Sequence, residues 1–253
     1  MAGLRIAAIR LMSREPQALA AFFAEALGFK WNNAGGLHLG EERVEIERTE
    51  GAPTPADLVS NDTRFQHFAV IVSDMDAAYV RLQSVKGWTP ISTRGPEQLP
   101  QASGGVTAFK FHSPEGHPLE LLQFPEGKAP APWNARSGLH LGIDHSAIGV
   151  SDTERSIAFY TRLGFTLAAR QTNRGAEQAR LDGLVLDDPA VEVTSLTPPG
   201  SAPPHLELLC YRRPEAIASP PAEEKSIAAT RLILSGMSAP VRDPDGHLLL
   251  PDG

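Results

Sequence analysis

The sequence predicts an α+β fold of repeated β-α-β-β-β modules, with three full modules and a truncated fourth. Two ten-residue segments, FQHFAVIVSD at 65–74 and IDHSAIGVSD at 143–152, are identical at five positions. Each segment precedes a helical pattern, and each repeat closes on the same tetrapeptide, LELL. Such self-similarity indicates an internal duplication, so the two copies are expected to share one structure.

The first predicted module spans residues 1–50. The strand-like run LRIAAIRLMS precedes a helical pattern, PQALAAFFAEALGF, that begins near Pro16 and ends at Gly28. Apolar side chains form one stripe along this helix, at Leu19, Phe22, Phe23, Ala26 and Leu27. The later run VEIER stands where the other copies have LELLQ, so Glu45 matches their glutamate. Ala8 occupies the position of their histidine.

The second and third predicted modules span 64–125 and 143–211. Each opens with a strand bearing a histidine, His67 or His145, and ends with a strand bearing a glutamate, Glu120 or Glu207. Between them lie a helix and a further strand-like run, GVTAFKFHS in one copy and AVEVTSL in the other. Serine followed three residues later by an acid, as at Ser151, predicts a capping box for both helices.

The truncated fourth module spans 226–253. SIAATRLILSG predicts its opening strand, and DPDGHLLL resembles SPEGHPLELL, but no helical pattern lies between them. Thr230 falls roughly at the histidine position and Leu250 at the glutamate position. His117 and His247 both lie in P-x-G-H turns, which favours a turn role, whereas four histidines without a repeat partner are interpreted as surface or locally bonded: His38, His112, His140 and His205.

Composition narrows the class of protein. The 253 residues are 42% hydrophobic and 21% charged, which is typical of a soluble globular protein, and the formal charge of -7 predicts no binding to nucleic acid or anionic membrane. No apolar run reaches the roughly 18 residues of a membrane span. Arg5 and Arg10 interrupt any signal-peptide core, and Cys210 alone allows no internal disulfide, so a cytoplasmic location is expected.

The residues shared by both copies have metal-ligand chemistry. His67, His145, Glu120 and Glu207 could hold Zn, Ni, Mn or Fe, and such an ion could act as a Lewis acid on a substrate that chelates it by two oxygens. A glutamate released from the metal could also serve as a base. The alternative is a pair of core histidines and two solvent-facing glutamates that the duplication preserved passively.

The motifs DHSAIGVSD…IAFYTRLGF, QHFAVIVSD, SPEGHPLELLQF and HLELLCY resemble the vicinal oxygen chelate superfamily, which includes glyoxalase I, extradiol dioxygenases and bleomycin-resistance proteins. The resemblance implies that His67, Glu120, His145 and Glu207 form a glyoxalase I-like ligand set, with the two glutamates ligating or moving a proton. The set is complete only if the second module pairs with the third. Pairing of the first with the second would instead divide the four residues between two cavities, with Glu45 in one and Thr230 and Leu250 in the other.

The favoured interpretation is therefore a metalloenzyme that carries out a lyase or isomerase step on a small oxygen-rich molecule. The resemblance implies that its modules form paired half-barrels, and a homodimer is expected to cover the sheet edge that the truncated module leaves. Ring-cleaving dioxygenases of this superfamily take ligands from the fourth module, which offers none here. Glyoxalase I also needs a glutathione-binding set, for which the only candidates flank cavity strands: Arg94, Asn173, Arg174 and Arg180. A metal-free small-molecule binding protein is the alternative from another class.

Overall fold

The computed structural model describes residues 3–32, 36–200, 202–229 and 231–253, and these form an α+β protein, as predicted. The strands are β1 (Arg5–Ser13), β2 (Lys30–Asn32), β3 (Gly36–Leu39), β4 (Glu42–Arg48), β5 (Gln66–Val72), β6 (Thr89–Pro90), β7 (Glu97–Gln98), β8 (Thr107–His112), β9 (Pro118–Gln123), β10 (His140–Gly149), β11 (Thr166–Arg174), β12 (Ala190–Thr197), β13 (His205–Arg213), β14 (Arg231–Ser235), β15 (Val241–Arg242) and β16 (Leu248–Pro251). The α-helices are α1 (Pro16–Leu27), α2 (Met75–Gln83), α3 (Thr153–Arg162) and α4 (Ala176–Leu181). None of the helices in these ranges is long and apolar enough to cross a membrane.

The strands form two open sheets. The first has the order β15-β16-β14-β1-β4-β3-β2 and joins the two ends of the chain. The second has the order β11-β12-β13-β10-β5-β9-β8-β6, with β7 paired to β8, and is built from the middle of the chain. The strands of 64–125 and 143–211 thus share one sheet. The module boundaries themselves stay a prediction from the sequence.

The helices begin and end where short sequence signals place them, with one correction. Helix α1 starts at Pro16 and is closed by Gly28 in the left-handed conformation (φ 74°), as predicted. The predicted serine N-caps are wrong. The caps are the aspartates that follow: Asp74 accepts a hydrogen bond from the Ala77 amide (2.9 Å), and Asp152 accepts one from the Arg155 amide (3.0 Å). Ser151 instead donates to Asp245 (2.5 Å).

A large apolar core packs the helices against the two sheets. The stripe predicted on α1 is buried, and Phe23 stacks on Phe68 of β5 with ring centroids 6.0 Å apart. Tyr160 of α3 contacts Phe165 edge-on at 5.6 Å. Two elements of the second sheet and its helices were not predicted from the sequence. Helix α4 is only six residues long, which is too short for a helical pattern, and β11 is an exposed edge strand without alternating apolar residues. Buried side chains from both sheets contribute to the same cluster, so the sheets are held together by packing.

The histidines of the two P-x-G-H turns are buried and bonded to backbone. His117 Nε2 lies 2.9 Å from the Met12 carbonyl, and its Nδ1 lies 2.8 Å from Ser113 Oγ. His247 Nε2 lies 2.7 Å from the Gly149 carbonyl. Each turn is thereby tied to a strand of the opposite sheet. Burial is the main cause that lowers the pKa of His117 from 6.5 to about 4.

This lowered pKa predicts acid sensitivity. His117 takes up a proton more readily in the unfolded chain, so its contribution to stability is complete above pH 6.5 and is lost as the pH falls towards 4. At about 1.4 kcal/mol per pKa unit, the loss is about 3 kcal/mol. Urea unfolding at pH 7 and pH 4 measures it. His117→Gln should lose this part of the pH dependence, and an unchanged dependence in the variant would contradict the assignment.

Candidate metal centre

The strand register brings the two histidines and two glutamates to one face of the second sheet. In each half, the glutamate lies opposite the residue two positions beyond the histidine: Glu120 faces Ala69, and Glu207 faces Ala147. The two histidine strands, β5 and β10, are antiparallel neighbours in which His67 faces Ala147. Since alternate residues of a strand share a face, these register positions place all four side chains together.

The four side chains meet at short distances. His67 Nε2 lies 2.9 Å from Glu120 Oε2, and His145 Nε2 lies 3.5 Å from the same oxygen. Glu207 Oε2 is 3.7 Å from His145 Nε2. His67, Glu120 and His145 are each at most 5% exposed. The ligand atoms of these three lie within 4.8 Å of one another.

This geometry fits a metal ion. His145 Nδ1 bonds Asp144 Oδ2 (3.0 Å), which turns Nε2 towards the two glutamates, where it is buried and has no hydrogen-bond partner among the described residues. Carboxylate-bound histidines of this kind are typical metal ligands. Nitrogen and oxygen ligands lie at about 2.0–2.2 Å from Zn, which places neighbouring ligand atoms about 3–4 Å apart. The observed spacings therefore need little adjustment.

Asp144 is a site residue that the sequence analysis missed. It precedes His145, so a regular strand would place it on the opposite face. The pairing of β10 with β5 is irregular between Ile143 and His145, and such a bulge can turn two consecutive side chains to one side. Trp133 Nε1 donates to Asp144 Oδ1 (2.9 Å) and leaves the other oxygen for His145.

The charges of the cluster are strongly coupled. Burial lowers the pKa of His145, but Glu207, Asp144 and Glu120 outweigh it and hold that pKa well above 6.5. Burial likewise raises the pKa of Glu207, and His145 and His205 outweigh it and bring it to about 2. The pKa of His67 is lowered by burial and then by Lys110. Without a metal, the site therefore holds a proton on His145 between two carboxylates.

His205 lies beside the cluster, although the sequence analysis placed it at the surface or in a local bond. It is half-buried, and its Nε2 lies 3.4 Å from Glu207 Oε1. Ser195 Oγ donates to the same oxygen at 3.1 Å. Glu207 is thus held through Oε1, which leaves Oε2 directed to His145. His205 also belongs to a second group of close ligand atoms, with Asp144 and His145.

Lys110 is a further site residue without a sequence signal. It faces Glu120 across the β8–β9 pair and is 4% exposed. Its Nζ lies 2.7 Å from Asp182 Oδ1, while Gln178 Nε2 (2.6 Å) and Tyr211 OH (2.8 Å) donate to the other oxygen of Asp182. Burial raises the pKa of Glu120, but Lys110 and the two histidines outweigh it and hold that pKa well below 4.5.

The cluster opens into a cavity of about 210 Å³. Alternate residues of the strands line it, in the order of the sheet: Ala169, Gln171 and Asn173 from β11; Val191, Val193 and Ser195 from β12; Glu207, Leu209 and Tyr211 from β13. Lys110, Glu120 and Leu122 line the other side. A more open cavity of about 540 Å³ adjoins it and shares four lining residues: Phe124, Asp144, Ser195 and Glu207.

The first sheet carries no equivalent ligand set among its described residues. Glu45 faces Arg10 across β1 and β4, just as Glu120 faces Ala69, and by this register Ala8 is at the position equivalent to His67. Arg10 Nε bonds Glu45 Oε2 at 2.8 Å. Leu250, at the glutamate position, faces Ile233. The buried Arg231 lies two residues before Ile233, which is the position that a histidine occupies in the second and third copies. Thr230, which the sequence analysis placed there, lies outside the described residues.

Of the four candidate glutathione-binding residues, only Asn173 lines the cavity. Arg94 and Arg174 are exposed. Arg180 forms a two-pronged ion pair with Glu97, at 2.7 and 2.8 Å. Three of the four are therefore not lining residues of the site.

Comparisons with known proteins agree with this fold. Residues 142–250 match the family model described as Glyoxalase/Bleomycin resistance protein/Dioxygenase superfamily. A sequence search of curated proteins gives no match. The solved structure of glyoxalase I from Zea mays is similar at TM-score 0.63 and 17% identity, covering 98% of this chain and 92% of that one. A mutant of the same Zea mays enzyme gives TM-score 0.62 at 16% identity, covering 98% and 93%. The resemblance drawn from the motifs is confirmed, and the fold of nearly the whole chain is that of these structures.

Proposed function

We propose that His67, Glu120, His145 and Glu207 hold one divalent metal ion, and that the protein is a metalloenzyme of glyoxalase type. It would carry out a lyase or isomerase step on a small substrate that chelates the metal by two oxygens. One observation supports this most directly. Two histidine–glutamate pairs, one from each repeat, converge in one cavity with a buried His145 Nε2 that lacks a hydrogen-bond partner.

A divalent ion in this position supplies Lewis acidity towards a carbonyl or hydroxyl oxygen. The chain supplies the base. Glu207 is the better candidate, because it is more exposed than Glu120 (18% against 6% of the side chain) and Ser195 fixes only its Oε1. With a pKa near 2 it is ionised, and a Glu207 released from the metal could accept a proton from the substrate on Oε2. His205 contacts Glu207 and is partly exposed, which gives that proton a route to solvent.

A metal-free binding protein is the second candidate. The observation that favours it is the direct 2.9 Å bond between His67 Nε2 and Glu120 Oε2, which forms without an ion. Ring-cleaving dioxygenase chemistry has less support, because the fourth repeat presents Arg231 and Leu250 at the ligand positions. Cytoplasmic location and homodimer formation stay predictions from the sequence.

The test is elemental analysis of the protein purified without an affinity tag or chelator. We expect close to one equivalent of Zn, Ni, Mn or Fe per chain, and its loss in His145→Ala, since that change removes a central ligand. His140→Ala, on the same strand but outside the cluster, is the matched control and should keep the metal. A His145→Ala protein that still holds one equivalent would refute the ligand assignment. Wild-type protein that takes up no metal on titration would favour the binding-protein function.

A further inference from the structure

We propose that this site selects an uncharged substrate with two adjacent oxygens and a compact apolar body, and discriminates against anionic conjugates such as glutathione adducts. The inference rests on the proposed function, because the metal would bind the two oxygens. It is carried by the distribution of charge and apolar surface around the cavity.

The cavity wall is rich in carboxylates and poor in free cations. Glu120, Glu207 and Asp144 line it, and Lys110 is the only lysine or arginine that the described chain contributes to this cavity or to the adjoining one. Lys110 Nζ forms an ion pair with Asp182 Oδ1 at 2.7 Å. A bound divalent ion would balance the two glutamates, and Asp182 balances Lys110, so the charge of Asp144 remains. A substrate carboxylate would therefore lose its water without gaining a cationic partner.

Aliphatic and aromatic side chains form the rest of the wall. Leu122 and Phe124 lie two and four residues after Glu120, in β9 and just beyond its end. Val191 and Val193 of β12 and Leu209 of β13 line the other side. An apolar cavity of about 150 Å³ accommodates benzene, so about 210 Å³ holds a body of roughly eight non-hydrogen atoms. A single ring or a short branched chain fills this space.

The polar groups opposite the cluster are uncharged amides. Gln171 Nε2 donates to Asn173 Oδ1 (3.0 Å), and Asn173 Nδ2 donates to Gln178 Oε1 (3.1 Å). Gln178 continues the chain to Asp182. These fixed amides can bond a neutral hydroxyl or carbonyl group of the substrate. They offer no positive charge to an anion.

The test uses matched probes on the metal-loaded protein. The para-carboxamide of α-hydroxyacetophenone carries two adjacent oxygens beside an uncharged ring, and the para-carboxylate has the same size with one negative charge. We expect calorimetry to show at least tenfold weaker binding of the carboxylate, and no measurable binding of the methylglyoxal–glutathione hemithioacetal. Equal or tighter binding of either anionic probe would overturn the inference.

A charge placed on the wall should change this selectivity. Val193→Lys adds a cation inside the cavity and should bring the para-carboxylate to equal or tighter binding than the neutral probe. Leu167→Lys, on the exposed edge strand outside the lining, is the matched control and should keep the wild-type ratio. If Val193→Lys does not fold, the wild-type ratio still decides. Metal content is measured on each sample, so failure of the metal site is distinguished from failure of the selectivity.

Discussion

Replacing Lys110 by methionine is expected to lower the free energy of unfolding by about 3–5 kcal/mol. Asp182 and Lys110 are 2% and 4% exposed and form an ion pair at 2.7 Å. Burial lowers the pKa of Lys110, but Asp182 and Glu120 outweigh it, so the lysine stays charged. Removing one partner of such a pair leaves an uncompensated charge in the interior, which is the costly case. Urea unfolding followed by tryptophan fluorescence measures the loss.

The double variant Lys110→Met/Asp182→Asn separates this effect from lost packing. Asparagine can still accept the hydrogen bond of Tyr211, but it carries no charge. The double variant should therefore be more stable than Lys110→Met alone, and the two single losses should not add. Additive losses would show that the pair is not coupled, and a loss below about 1 kcal/mol for Lys110→Met would show that Asp182 is solvated.

The fold and the four clustered side chains could be predicted because the chain is duplicated. A histidine or glutamate in one strand has several interpretations, but the same residue at the same position in two copies has fewer. The prediction that the second and third copies pair came from the completeness of the ligand set. In the structure, β5 and β10 are antiparallel neighbours in one sheet, while the pairing of the modules themselves stays a prediction.

The supporting residues could not be predicted, for three physical reasons. Lys110 and Asp182 are 72 positions apart, so their pairing depends on tertiary structure. Asp144 shares the face of His145 because of an irregular pairing that alternation does not encode. His205 has no repeat partner, because the aligned LELL segments place Pro118 at its position in the other copy. The predicted serine caps were wrong by one residue, because a serine and an aspartate are adjacent at each helix start and both residue types can cap a helix.

Metal affinity is expected to weaken about tenfold for each unit that the pH is lowered. This dependence should hold between about pH 7.5 and 6.5 as well as below pH 6.5. In the metal-free site, Glu207, Asp144 and Glu120 overcome burial and hold the pKa of His145 well above 6.5. A metal ion must therefore displace one proton throughout this range, and binding that releases one proton changes tenfold per pH unit. An ordinary histidine would lose this dependence above pH 6.5. His67 adds no further slope, because its pKa is lowered.

Asp144→Asn distinguishes this coupling from a general effect of pH. The amide removes the charge and keeps one acceptor oxygen, for which His145 Nδ1 and Trp133 Nε1 would compete, so the pKa of His145 should fall and the slope above pH 6.5 should flatten. Loss of such a partner typically weakens metal affinity 10–100-fold. Zinc titration against a competing chelator, at pH 5.5 to 7.5, measures both effects. A wild-type zinc affinity that does not change with pH above pH 6.5 would show that His145 is neutral in the metal-free site. The carboxylates around it would then bind the metal without raising the pKa of His145.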